Sequence, residues 1–219
     1  MKFASLKRLS LAIGAMVLAA SSLTACFPLV VGGMAGGALV ASDRRTSGAQ
    51  LEDEGIELRA ASRIRSNVGD RAHVNLTSYN RQVLLTGEVP NAQDKQLVEQ
   101  IVSRVENVSS VVNELAVMGS SSLTQRSSDA LVTGRVKAML IDARDLSLNA
   151  YKVVTERGTT YLMGRVTQRE ADRATEVVRS TPGVQKVIRI FEVISEEELA
   201  RMQPAKPAAP ANQAKPAGS

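Results

Sequence analysis

Apolar residues recur along this chain in two interleaved rhythms, one suited to strands and one to helices, and the whole pattern occurs twice. VLLTGEV (Val83 to Val89) and TYLMGRV (Thr160 to Val166) superpose at an offset of 77, placing Leu85 over Leu162, Gly87 over Gly164 and Val89 over Val166. Upstream, Val74 and Leu76 fall over Tyr151 and Val153 in runs that alternate as half-buried strands do. Downstream, Leu97 and Ile101 fall over Ala174 and Val178 at the same offset; one residue is then lost, so that Val111, Leu115 and Val117 match Val187, Phe191 and Val193 at 76. Ahead of each strand pair, Ile56, Ala60 and Ile64 in one copy and Val132, Val136 and Leu140 in the other are spaced i, i+4, i+8 on one helix face.

Each copy therefore reads helix, strand, strand, helix, strand. Asn80 and Gly158 mark the turns between the paired strands. The second helix starts near Pro90 or Asn91 in the first copy, and in the second at Thr167 with Glu170 three residues on, a capping box. Two helices can cover one face of a three-stranded sheet, so the fold class is α+β: two tandem αββαβ modules, each with two helices packed on one face of its sheet. The modules occupy 51–118 and 126–195, joined by a polar linker at 119–125. A Gly inside a strand marks a bulge or a close backbone approach, which for Gly87 and Gly164 is expected to come from the packed helix.

The termini break the pattern. Lys2, Lys7 and Arg8 precede an apolar run from Leu9 to Ala20 that is too short to span a bilayer, and Leu23-Thr24-Ala25-Cys26 follows. This resembles a bacterial lipobox, which implies a signal peptide at 1–25, cleavage before Cys26, diacylation of the Cys26 sulfur and acylation of the new amino terminus. In such proteins the residue after the Cys guides sorting, and Phe27 in place of Asp points to the outer membrane. Residues 26–50 form a Gly-rich tether in which the apolar stretch 27–42 is either a flexible spacer or a shallow membrane contact. From 196 to 219 a disordered tail is expected, with Pro204, Pro207, Pro210 and Pro216 among Ala and Lys.

Composition removes several classes of function. Aromatic residues make up 3% of the 219, with no Trp, which leaves no platform for stacking bases or sugars. One Cys and one His exclude a disulfide framework and a Cys/His-built metal cage. The formal charge of +5 falls to +2 once the three leader cations are set aside, so nucleic acid is not indicated. His73 at a strand start reads as solvated, Ser120-Ser121-Ser122 as linker, and Glu52-Asp53-Glu54 and Glu196-Glu197-Glu198 as helix ends or solvated surface. No catalytic group, metal ligand or cofactor site is expected.

The V-x-L-x-G-x-V strand (Val83, Leu85, Gly87, Val89; in the second copy Leu162, Gly164, Val166, with Thr160 departing), the helix after it and the entry to the last strand (Val108 to Val111; Gly183-Val184 to Val187) resemble the BON domain. The first copy departs from the common Gly-Val of that entry, having Asn107-Val108. With the lipobox and the tandem arrangement, the chain from Cys26 to Ile194 is similar to dual BON-domain outer-membrane lipoproteins. That resemblance implies an αββαβ fold, no enzymatic activity, a lipid anchor on the periplasmic side of the outer membrane, binding to anionic phospholipid, a part in outer-membrane integrity, and concentration at division sites.

Charge separates the two copies. Residues 51–118 carry 7 basic and 10 acidic side chains, net −3, whereas 126–195 carry 12 and 8, net +4. The second module is the one suited to an anionic surface. On its first helix Val132, Val136, Met139 and Leu140 account for the core face, which leaves Leu131, Arg135, Ala138 and Ile141 on another stripe with Lys137 at its flank. At an offset of 76 the first copy has Gly55, Arg59, Ser62 and Arg65 there. An apolar stripe beside basic side chains suits an interfacial helix, so Leu131, Arg135, Lys137, Ala138 and Ile141 are the candidate phospholipid-binding residues; packing of the same stripe against the first module is the alternative. The expected partner is an anionic phospholipid membrane bound by a monomer, the alternative being an adaptor for an acidic envelope protein. Because Cys26 lies outside both module cores, Cys26→Ser is expected to leave the modules folded while removing the protein from the outer membrane, as fractionation of cell envelopes would show.

Overall fold

The computed structural model describes residues 43–202; Cys26, the leader, the tether through residue 42 and the tail from 203 lie outside the described residues. The first module comprises α1 (Ser47–Val68), β1 (His73–Tyr79), β2 (Gln82–Val89), α2 (Ala92–Ser103), β3 (Ser110–Asn113) and β4 (Ala116–Val117). The second comprises α3 (Leu123–Asp142), β5 (Tyr151–Glu156), β6 (Thr159–Val166), α4 (Gln168–Arg179) and β7 (Lys186–Val193), and α5 (Glu196–Met202) follows. In each, an antiparallel hairpin is extended by a parallel strand returning beside its second member, giving the orders β1-β2-β3, with β4 also on β2, and β5-β6-β7.

The hairpin turns are two-residue turns with both residues left-handed, Asn80 (φ 50°) and Arg81 (φ 69°) in one copy, Arg157 (φ 52°) and Gly158 (φ 73°) in the other. Such turns match the twist of the flanking strands. A buried aspartate holds each one. Asp53 on α1 accepts from the amides of Asn80 and Arg81, both at 2.8 Å, and its repeat equivalent Asp129 on α3 accepts from those of Arg157 (2.9 Å) and Gly158 (3.0 Å). Asp53 is thus neither a helix-end nor a surface acid, contrary to the sequence reading; it is 2% exposed because its oxygens satisfy the turn.

The helix-facing sides of the sheets form two separate cores. Ile56, Ala60, Ile64, Val83, Leu85, Val89, Val98 and Val102 belong to the first, and Val132, Val136, Leu140, Val153, Leu162, Val166, Ala174 and Val178 to the second. The second helix of the first module therefore buries Val98 and Val102 rather than Leu97 and Ile101, which are only partly covered. Its N-cap is Asn91, equivalent to Thr167 at an offset of 76, so the residue lost in the second copy precedes the helix instead of following it. Thr167 and Glu170 do form the expected capping box.

Alternate residues of the same strands point the other way. Tyr79 and Leu84 from the first sheet meet Tyr161, Met163 and Ile190 from the second in a third apolar cluster, flanked by Val112, Val154 and Ile188. The faces that the helices leave bare thus cover one another.

The close approaches to Gly87 and Gly164 come from backbone at the start of the neighbouring strand, not from the packed helices. A Cβ on Gly87 would collide with the carbonyl oxygen of His73, and one on Gly164 with that of Ala150, each at the entry to the neighbouring strand. The last strand of the first module is broken at Glu114-Leu115, where Asn113 turns its side-chain oxygen onto the Leu115 amide (3.2 Å) in competition with the ladder. Regular structure also begins earlier and ends later than expected at three boundaries. α1 starts at Ser47 on the Thr46 cap, inside the presumed tether; α3 starts at Leu123 on the Ser122 cap, inside the presumed linker. α5 extends the second module to Met202, with Ser195 Oγ receiving the Glu198 amide and Leu199 buried, so the presumed tail begins no earlier than 203.

Truncating the shared cluster tests this arrangement. Leu84→Ala and Met163→Ala should each cost about 3 kcal/mol, as large-to-small changes at buried sites do, and together should split the single urea transition into two, since each module keeps its own helix-facing core.

Candidate functional site

α3 presents the stripe picked out by sequence. Ser122 accepts from the Gln125 amide at its start (3.2 Å), and Val132, Val136 and Leu140 anchor one face in the core. Leu131 and Ile141 are 65% and 61% exposed, and Arg135, Lys137 and Ala138 between them are exposed as well. Met139, assigned by spacing to the core, is instead 37% exposed and widens the apolar surface. Leu131, Arg135, Ala138 and Ile141 are open rather than packed on the first module, whereas Lys137 lines a cleft that it shares with Gln50 and Tyr79 of that module. In the first copy the equivalent helix differs in chemistry: Arg59 is tied to Glu52 at 2.6 Å, and Gly55 has no side chain to offer. No helix among the described residues is long and apolar enough to cross a membrane.

A second constellation was hidden from the sequence. Asp43, Arg44 and Arg45, expected to belong to a tether, are docked. Arg44 makes a bidentate pair with Glu170 (both 2.7 Å) and donates to the Arg165 carbonyl (2.8 Å), with only 8% and 6% of the two side chains exposed. Arg45 pairs with Asp43 and with the turn-holding Asp53 (both 2.9 Å), and its guanidinium lies 4.4 Å from the centre of the Tyr79 ring. Three residues ahead of the first module therefore grip both modules. Burial works to raise the pKa of Glu170, but the Arg44 hydrogen bonds and the Thr167 amide outweigh it and hold the carboxyl below the usual range.

A third group lies where β1 and β2 meet β5. His73 Nδ1 is 3.1 Å from Glu88 Oε2, which also receives Ser121 Oγ at 3.3 Å; Glu156 of the second module accepts from Asn75 Nδ2 at 2.9 Å. His73 is consequently not the solvated residue expected, having 22% of its side chain exposed against a Glu88 side chain with none. Burial would raise both carboxyls. Hydrogen bonds from Ser121 and His73 reverse this for Glu88, whereas Glu156, disfavoured further by the charge of Glu88, stays above the ordinary range.

With this geometry established, comparison with known proteins is decisive about the family. The BON domain matches residues 53–119 and 128–195, one match per module. The chain is 36% identical over 197 residues to "Outer membrane lipoprotein DolP" of Haemophilus influenzae, covering 89% of this chain and 100% of that protein. The chain belongs to the dual BON-domain family of the DolP type. It is accordingly an outer-membrane lipoprotein, in the same lineage as the "21 kDa hemolysin" of Actinobacillus pleuropneumoniae, to which it is 30% identical over 154 residues (69% of this chain, 79% of the other). A solved structure of CdsD, a structural protein of the type III secretion system of Chlamydia trachomatis, aligns over 67% of this chain and 98% of its own with 14% identity and a TM-score of 0.27, a likeness too slight to carry an argument. In this DolP-type chain both BON matches begin beyond the docked arginines, which is why Arg44 and Arg45 escape a reading by domain.

Arg44→Ala leaves Glu170 buried without its cation and should cost about 3 kcal/mol at pH 7, the usual range for breaking a buried pair. A carboxyl with a depressed folded pKa stabilises above its unfolded pKa and loses that contribution as pH falls through the folded one. The gap in urea stability between wild type and Arg44→Ala should therefore be full at pH 7 and close progressively below about pH 4.

Proposed function

We propose that this outer-membrane lipoprotein is a non-enzymatic reader of anionic phospholipid, anchored through Cys26 on the periplasmic side and contacting lipid with α3 of its second module. The supporting observation is the exposure of Leu131 (65%) and Ile141 (61%) on a helix whose other face is fixed in the core, with Arg135 and Lys137 beside them. Apolar side chains of this kind enter the acyl boundary while guanidinium and ammonium groups meet phosphates. The net +4 of residues 126–195 adds a long-range attraction that the first module, at −3, does not supply. Support of outer-membrane integrity, including at division sites, is the cellular role that this activity and the family resemblance suggest.

A protein adaptor is the second reading, favoured by Leu51 and Leu58 on α1, which are 71% and 74% exposed, seven residues apart and on the acidic module. Vesicle flotation separates the two. Protein carrying Cys26→Ser should float with phosphatidylglycerol vesicles and not with phosphatidylcholine, more strongly at low salt. Leu131→Asp and Ile141→Asp, tested separately, should each lower the bound fraction at least about 10-fold, the effect of losing one buried apolar anchor, with thermal stability unchanged. Binding that ignores lipid composition, or survives both substitutions, would reject the lipid-reading role.

A further inference from the structure

His73, Glu88 and Glu156 are far apart in sequence, and the fold brings one ligand-capable atom from each within 4.8 Å of the others. Two come from the first sheet and one from the second, so the group straddles the junction of the modules. Glu88 is the unusual member. Its side chain has no exposure, and its Oε1 has no hydrogen-bond donor, only the Arg157 guanidinium at 3.6 Å. An ionised carboxylate with a free buried oxygen is costly. A second carboxyl, Glu156, 8% exposed, is held beside it, and its pKa is raised by burial and by that neighbour. Two buried carboxyls and one imidazole in one cluster, with one carboxyl oxygen left without a donor, have a simple complement, a divalent cation.

We propose that His73, Glu88 and Glu156 form a binding site for a zinc-class divalent transition ion that ties the two modules together. The donor set decides the class of metal. Calcium and magnesium take oxygen ligands, whereas an imidazole with two carboxylates is a set that zinc accepts, with water as a fourth ligand. Bonds of about 2.0–2.2 Å in a tetrahedron place donors roughly 3.4 Å apart, so contraction by up to about 1.4 Å, within reach of side-chain rotation, completes the site. The supporting shell is present: Asn75 orients Glu156 and Ser121 orients Glu88. A cleft of about 470 Å³ lined by His73, Asn75, Arg126, Asp129 and Glu156 gives an ion a route in. Arg157 balances Glu88 in the metal-free protein and, with 39% of its side chain exposed, can turn out to solvent when an ion enters. The ion would then neutralise both carboxylates and join β1 and β2 to β5 directly, whatever surface the protein uses to meet lipid.

The test uses the full chain carrying Cys26→Ser, which removes the only thiol, purified in detergent without a polyhistidine tag and stripped with chelator. Zinc chloride titrated by calorimetry should bind one ion per chain and raise the melting temperature to a plateau. His73 is the sole histidine, so its imidazole resonances should shift in step. Glu156→Gln should fold with at least wild-type stability at pH 7.5 without zinc, because the amide oxygen can still accept from Asn75 while one of two neighbouring buried carboxylates is removed. In this variant and in His73→Gln the affinity for zinc should fall at least 10-fold. Absence of saturable binding, undiminished binding by both variants, or equal stabilisation by magnesium would overturn the proposal.

Discussion

Each sheet, four-stranded in the first module and three-stranded in the second, has two faces and only one pair of helices to cover them. The strands β2 and β6 are apolar on both sides, Val83, Leu85 and Val89 against Leu84 in one, Leu162 and Val166 against Tyr161 and Met163 in the other. A single module would leave the second set in water. Pairing of the two sheets meets this requirement and dictates the remaining layout: the helices are turned outward, α3 keeps a free side, and polar groups at the rim of the sheet pair, among them His73, Glu88 and Glu156, are drawn together out of solvent.

Local signals were legible in the sequence and relationships between distant segments were not. The helix faces of α1 and α3, the turns at Asn80 and Gly158 and the capping box at Thr167 depend on residues within a few positions of one another, and all are present, with Met139 alone falling off the α3 core face. The misplacement of Leu97 and Ile101 in the core came from one inserted residue: Pro90 shifts the register between Val89 and Asn91, and only the position of the cap shows where the insertion falls. Asp53 could have been found, since the repeat sets Asp129 at the same place and an acid retained in both copies on the buried side of a helix calls for a donor. Arg44 offered no such clue; its partner Glu170 is 126 residues away and is also a capping residue in its own right. Glu88 likewise sits in a strand whose alternation explains it as an ordinary outward residue until a second sheet arrives on that side.

The repeat has diverged by division of labour between surfaces rather than between cores. Both copies retain the aspartate-held turn, the glycine beneath a strand-entry carbonyl and an apolar triad on the first helix. What differs lies outside: Arg59 is neutralised by Glu52 in one copy, while at the equivalent place Arg135 stays exposed between Leu131 and Ile141. Changes of this kind cost little stability, because exposed positions away from packed features tolerate substitution.

The sharing of one apolar layer by both sheets also governs how the molecule can be taken apart. A fragment cut at residue 53 begins midway through α1, at the aspartate that holds the turn, and lacks the arginines that clasp both modules. Released from its twin, either half would present Tyr79 and Leu84, or Tyr161, Met163 and Ile190, as a sticky plane. Two copies of the same half could then close on each other, a counterfeit of the native pair whose avidity for a charged surface would be that of a dimer, so the natural unit for dissection is the span from Asp43 to Met202.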